Sequence, residues 1–151
     1  EKFVPMLMKN VNEGKTVTVH GNEQKIGSRY YLHARNHADA LLFIINNLGV
    51  SKYVDSDKIV MPDRYNVVGD IELDNLQLAK QIAALVGKPL EYELVDFHST
   101  RPGHDRRYAL DGNKLKALGW VPPVPFEESL AKTVEWTLEH PEWMIWAITL
   151  A

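Results

Sequence analysis

Apolar positions at Phe3, Val4, Leu7, Met8 and Val11 recur at the spacing of one helix face, and Asn12-Glu13-Gly14 supplies a stop, so the chain opens on a short helix with one buried side. Thr16-Val17-Thr18-Val19 then alternates as a strand does, with a turn at His20-Gly21-Asn22, and Ile26 to Leu32 can pair back as a second strand. Asn36 reads as an N-cap. The helix after it carries Ala38, Ala40, Leu41, Leu42, Ile44, Ile45 and Leu48 and closes at Gly49; apolar on most sides, it is expected to be largely buried.

Tyr65-Asn66-Val67-Val68-Gly69 reads as a brief buried strand whose Asn66 needs a polar partner. Asp74 precedes a second long helix through Leu76, Leu78, Ile82, Ala83, Leu85 and Val86, stopped by Gly87-Lys88-Pro89. Glu91 to Phe97 alternates again. Asp111 caps a short helix through Lys114, Leu115 and Leu118, and Pro122, Pro123 and Pro125 form a rigid spacer into a last helix bearing Phe126, Leu130, Val134, Trp136 and Leu138. Strand and helix signals alternate throughout, which predicts an α/β fold.

Length and charge narrow the partners. At 151 residues the chain is one ordinary domain or a piece of a larger one. A net charge of −3 argues against a general nucleic-acid binder. No cysteine is present, so thiolate zinc sites and disulfides are excluded and a cytoplasmic location is the default. No membrane-spanning apolar run or signal-peptide pattern appears. The opening Glu1-Lys2-Phe3-Val4-Pro5, without an initiating Met and already inside an amphipathic pattern, reads as a chain cut from something longer.

The densest candidate chemistry lies in Thr100 to Asp111. Arg101, His104, Arg106 and Arg107 surround a Pro102-Gly103 breaker, a composition suited to phosphate because guanidinium forks match its oxygens and glycine lets the main chain approach. The competing reading is a solvated basic turn salt-bridged to Asp105 and Asp111. Arg29 stands apart, a strand-end cation without a sequence-local acidic neighbour. His33 and His37 have a spacing that can bind zinc on a helix, but the pair straddles a strand end and a helix cap, so His37 is read as a packing or capping residue and no metal is expected. Ser28, Ser99 and Ser129 sit in no nucleophile-elbow pattern. Trp120, Trp136, Trp143 and Trp146 are read as buried aromatics, with an exposed docking surface at Trp143 and Trp146 as the alternative. No G-x-G-x-x-G or G-x-x-G-x-x-G occurs, so a dinucleotide's pyrophosphate has no seat in this sequence.

Taken in order, Glu1-Lys2-Phe3-Val4-Pro5, Val19-His20-Gly21, Arg29 ahead of Tyr31-Leu32-His33, His37-Ala38-Asp39-Ala40-Leu41, Tyr65-Asn66-Val67, the Arg101 to Tyr108 loop, Leu118-Gly119-Trp120 and Phe126-Glu127-Glu128-Ser129-Leu130 resemble one family. It is the nucleotide-sugar dehydratases of the extended short-chain dehydrogenase/reductase class, the NAD-dependent epimerase/dehydratases, and within them the dTDP-glucose 4,6-dehydratase branch. The likeness runs from Glu1 to about Trp143 and is to the C-terminal portion.

The resemblance implies a cytoplasmic lyase of deoxysugar biosynthesis that oxidises the sugar at C4 with bound NAD, eliminates water across C5 and C6 and returns the hydride to C6. It implies that residues 1–151 are the substrate-binding portion of a larger, homodimeric two-domain enzyme, with some elements of the Rossmann sheet included. The half with the glycine fingerprint and the Tyr-x-x-x-Lys pair is missing, so this stretch alone carries no catalytic residue and binds no NAD. By the same resemblance Glu1, Lys2, Phe3, Val4, Pro5, Met6, Val19, His20 and Gly21 surround the nucleotide. Arg29 and Arg101 hold the diphosphate, with Asn66, Pro102, Gly103 and His104 nearby. Tyr30, Arg35 and Asn36 depart from the family pattern, which usually has acidic residues there, and so does the tail from Ile145 to Ala151. Two further readings are a stand-alone nucleotide-sugar-binding or interaction module and an epimerase of the same superfamily.

Overall fold

A computed structural model describes residues 2–22, 24–47, 63–96 and 105–144. The elements in order are α1 (Phe3–Glu13), β1 (Val17–Asn22), β2 (Lys25–Ile26), β3 (Ser28–Tyr30), α2 (Ala34–Asn47), β4 (Glu72–Asp74), α3 (Asn75–Val86), β5 (Tyr92–Val95), β6 (Arg107–Tyr108), α4 (Asn113–Ala117) and α5 (Phe126–Glu139). The α/β expectation holds, in the form of two small mixed sheets.

In the first sheet β1 lies between β2, antiparallel, and β5, parallel, with Val17 opposite Tyr92 and His20 opposite Val95. In the second, β3 lies between β4, antiparallel, and β6, parallel. The single strand expected over Ile26 to Leu32 is therefore two, divided at Gly27 between different sheets. Gly21 carries the turn of the first sheet: at φ 150° a Cβ would come within 2.7 Å of Lys25 O and 2.8 Å of Ile26 Cα. No side chain fits there.

The main core joins α1, α3, α5 and β1 through Leu7, Met8, Val11, Val17, Val19, Leu78, Ile82, Phe126, Leu130 and Val134. It forms because the helical stripe of α1, the i, i+4 pair Leu78 and Ile82, and alternate residues of β1 each present one apolar face. The start of α3 is as expected: Asp74 Oδ1 accepts from Gln77 N at 2.7 Å, while Gln77 Oε1 accepts from Asp74 N at 3.1 Å, a reciprocal capping box. A second, smaller cluster gathers Ala40, Leu115 and Trp120 with Phe43, Ile44, Tyr65 and Val67 beside them.

Three expectations are corrected. First, α2 is not largely buried: only Asn36 and Ala40 are, while Leu41, Leu42 and Ile45 are 47%, 58% and 71% exposed. The small second cluster covers one stripe of this helix, and the flank bearing Leu41, Leu42 and Ile45 lies outside that cluster. Second, α2 begins at Ala34, and Asn36 lies inside it. Asn36 Nδ2 donates to Val124 O at 2.8 Å, and the turn before the helix is tied instead by Arg35 N donating to His33 Nδ1 at 3.0 Å. Third, Tyr65 to Gly69 forms no strand ladder. Gly69 passes so close to β3 that a Cβ would lie 2.2 Å from Tyr31 O, and Asn66 Nδ2 donates to Asp111 O at 2.9 Å. The short strand β4 follows instead.

Smaller differences follow the same logic. Asp111 does not itself cap α4; Gly112 occupies the N-cap and Asp111 Oδ1 accepts from Asn113 N at 2.8 Å. Trp120 is buried, with Nε1 donating to Asp39 Oδ1 at 2.8 Å, but Trp136 and Trp143 are exposed and pack on each other at 5.8 Å between centroids. Trp146 lies outside the described residues. No helix among the described residues is long and apolar enough to cross a membrane.

Candidate anion-binding site around Arg29

The register of the second sheet sorts its side chains. Ser28 is opposite Asp74 and Arg107, Arg29 is opposite Leu73 and Tyr108, and Tyr30 is opposite Glu72. Since successive residues of a strand point to opposite faces, Arg29, Leu73 and Tyr108 share one face and Ser28, Tyr30, Glu72 and Arg107 the other. Leu73 belongs to the main core, so Arg29 sits on the inner side of the sheet.

There the guanidinium carbon lies 5.9 Å from the Tyr31 ring centroid and 5.2 Å from that of Tyr108, within the range of cation–π attraction. The Tyr31 ring is fixed: its hydroxyl donates to Asn75 Oδ1 at 2.7 Å, and its ring lies 6.5 Å from that of Phe126. Burial pushes the Tyr31 phenol up to about 12, against the lowering effect of Arg29. Arg29 Nε is buried and has no hydrogen-bond partner among the described residues, and no ion pair among them involves Arg29. A desolvated guanidinium donor without an acceptor is costly, and an anion is the ligand that would relieve it.

On the other face, Glu72 takes a bidentate fork from Arg107, Nε to Oε1 at 2.7 Å and Nη2 to Oε2 at 2.8 Å, while Ser28 Oγ donates to Oε1 at 2.8 Å. The fork, chiefly, and the Ser28 and Tyr30 hydroxyls hold the Glu72 carboxyl down at about 2. At its far end the basic stretch is salt-bridged, through Arg107, to a glutamate 35 residues away in sequence.

The other expected site residues distribute as follows. Lys2 is the exposed residue before α1, and Phe3, Val4, Pro5 and Met6 form its half-buried first turns, with Phe3 and Val4 against the core. Val19 is fully buried, so its side chain serves the core and only its main chain is open to a ligand role. His20 is half-buried and Gly21 buried beside it on β1. Asn66 lines a cavity of about 550 Å³ with Tyr30, Asp70, Asp111 and Lys116, and this lining includes Tyr30 but not Arg29. Glu1, Arg101, Pro102, Gly103 and His104 lie outside the described residues. Among the described residues no group of three or more His, Cys, Asp or Glu is placed to hold a metal ion.

Sequence reasoning missed Tyr31, Tyr108, Glu72 and Arg107 as parts of one assembly. Tyr31 had a signal, since it stands two residues from Arg29 and so shares its face of the strand. Glu72 and Arg107 had none, because only the strand register brings them together.

The family model described as GDP-mannose 4,6 dehydratase matches residues 1–133. A dTDP-glucose 4,6-dehydratase of Escherichia coli is 35% identical over 153 residues, which cover 95% of this chain and 39% of that protein. The crystal structure of a dTDP-glucose 4,6-dehydratase from Bacillus anthracis in complex with NAD superposes with a TM-score of 0.71 at 30% identity, over 94% of this chain and 40% of its own. A UDP-glucose 4-epimerase of Thermus thermophilus shares the fold at a TM-score of 0.65 and 24% identity, covering 88% of this chain and 39% of the other. The chain spans about two fifths of the length of these relatives, and over that span it belongs to the GDP-mannose 4,6 dehydratase family.

Proposed function

We propose that this chain is the nucleotide-sugar-binding portion of a 4,6-dehydratase acting on a dTDP-glucose-like substrate, and that Arg29 grips the substrate's diphosphate. The observation that carries this reading is the Arg29 guanidinium, with its buried Nε lacking a partner among the described residues and its carbon within cation–π range of two tyrosine rings. A diphosphate supplies the missing acceptors, and the charge-assisted bonds so formed are about twice as strong as neutral ones. Arg101, six residues before Arg107, completes a two-arginine clamp in this reading, and Pro102, Gly103 and His104 line the same loop. Lys2 to Met6 and Val19 to Gly21 surround the nucleoside, with Val19 contributing main chain only.

Gripping the unreactive end of the substrate orients the sugar for chemistry elsewhere. The NAD of the Bacillus anthracis relative does not fit the residues present here. None of the three described strand-to-helix junctions has a glycine-rich turn: β3 enters α2 through Tyr31-Leu32-His33, the N-terminus of α3 is closed by the Asp74 carboxylate, and β6 reaches the five-residue α4 through Ala109-Leu110-Asp111-Gly112 with a single glycine. The nicotinamide cofactor, the acid and base groups and the hydride steps are accordingly assigned to residues beyond this chain, in a homodimeric enzyme with this chain as its substrate side. The shared fold of the Thermus thermophilus protein keeps an epimerase as the second reading. Conversion of dTDP-glucose to a 4-keto-6-deoxy product or to its C4 epimer by the complete enzyme separates the two.

Calorimetric titration of the chain with dTDP and with thymidine tests the binding role. We expect dTDP to bind, thymidine to bind far more weakly, and Arg29→Ala to abolish most of the difference. Equal binding of the two, or none of either, overturns the reading.

A further inference from the structure

The outer face of the second sheet carries a group of residues that no catalytic or binding role above uses. Strand β6 is two residues long, both exposed, and among the described residues its backbone attachment to β3 consists of the Ser28↔Arg107 and Arg29↔Tyr108 pairs and Ser28 N donating to Arg106 O at 2.9 Å. A strand so short holds its place weakly by backbone bonds alone. Yet Tyr108, its second residue, must stay against Arg29 for the ring to face the guanidinium.

We propose that Glu72 is a positioning residue for Arg29, acting through Arg107: the Glu72 carboxylate reaches from β4 across β3 to β6 and fixes the strand that sets Tyr108 over the Arg29 guanidinium. Three contacts define it, the two-pronged Arg107 fork at 2.7 and 2.8 Å and the Ser28 hydroxyl at 2.8 Å. The fork is planar and bidentate, so it fixes orientation as well as distance, which a lone ammonium does not. The pair stands on the solvent side of the sheet, where an ion pair adds little to stability. Its consequence is geometric. Ser28 and Arg107 are register partners, and so are Arg29 and Tyr108; locking the first pair fixes the second on the opposite face.

The inference deepens the diphosphate-binding reading and rests on it for its functional meaning, but its geometric part is measured without ligand. In the isotope-labelled chain, the Arg29 Nε–Hε resonance, identified by its loss in Arg29→Lys, senses the rings of Tyr31 and Tyr108. Glu72→Gln keeps the size of the side chain and removes its charge; we expect the Arg29 signal to move toward that of exposed arginines. Arg107→Lys, which keeps the charge and loses the fork, should move it in the same direction and serves where Glu72→Gln does not fold. The affinity for dTDP should fall on the order of tenfold in Glu72→Gln. An Arg29 resonance unmoved in both variants overturns the positioning role, as does unchanged dTDP affinity in a chain whose wild type binds. A wild-type chain that does not bind dTDP overturns the diphosphate reading instead, while a displaced Arg29 signal still supports the geometry.

Discussion

At the scale of single residues the chemistry turns on what surrounds Arg29. Its neighbours are aromatic rings and an apolar core rather than carboxylates, so its charge is available to a ligand at the cost of its own desolvation. Removing it by Arg29→Ala should weaken dTDP binding by about 1.5 to 3 kcal/mol, roughly ten- to a hundredfold. Arg29→Lys should recover only part, because an ammonium keeps the charge and loses the fork; full recovery in a titration would show that charge alone suffices. Tyr31 makes a separate prediction. Its folded-state value near 12 lies above the ordinary 10, so the stability it contributes is complete below pH 10 and is lost as pH rises through 12. Spectrophotometric titration should show Tyr31 ionising only with alkaline unfolding, and Tyr31→Phe should remove that late step. A late step that persists in Tyr31→Phe contradicts the assignment. The lack of a sequence-local acidic partner for Arg29 was legible in the sequence; that no ion pair among the described residues involves it was not. Its proximity to both Tyr31 and Tyr108 was legible only by half, through the two-residue spacing to Tyr31.

At the scale of elements, local signals were readable where the energetics are local. Asp74 announced the start of α3 because a helix cap acts within one turn, and the stripe of α1 marked a buried face because its spacing is its own. Asp74→Ala should cost about 1 kcal/mol of stability. A thermal melt should then fall by roughly 2 to 4 °C for a chain of this size; an unchanged midpoint would mean that packing of Leu78 and Ile82 alone sets the helix start. Readings failed where the deciding contact was distant. Tyr65 to Gly69 has strand-like composition, yet its place is set by the passage of Gly69 under Tyr31 and by the Asn66 bond to Asp111. Glu72 to Asp74 pairs with β3 on only three residues, too few for alternation to register in sequence.

For the molecule as a whole, the apolar composition of α2 predicted burial, and among the described residues only part of that burial is realised. Leu41, Leu42 and Ile45 form a continuous exposed apolar stripe on the flank away from Ala40. The chain taken by itself should therefore self-associate, and Leu42→Glu with Ile45→Lys should weaken that association. Sedimentation velocity across a dilution series reads it directly; a monomer at every concentration would count against the stripe as an adhesive face.

The central claim is that Arg29 binds the diphosphate of a nucleotide sugar, with Arg101 as its partner. The most direct measurement is a crystal structure of the chain with dTDP-glucose. We predict phosphoryl oxygens about 3 Å from the guanidinium nitrogens of both Arg29 and Arg101, with Tyr31 and Tyr108 flanking the Arg29 plane. A diphosphate seated elsewhere, or the two guanidiniums on different faces and unable to reach one diphosphate, would contradict it.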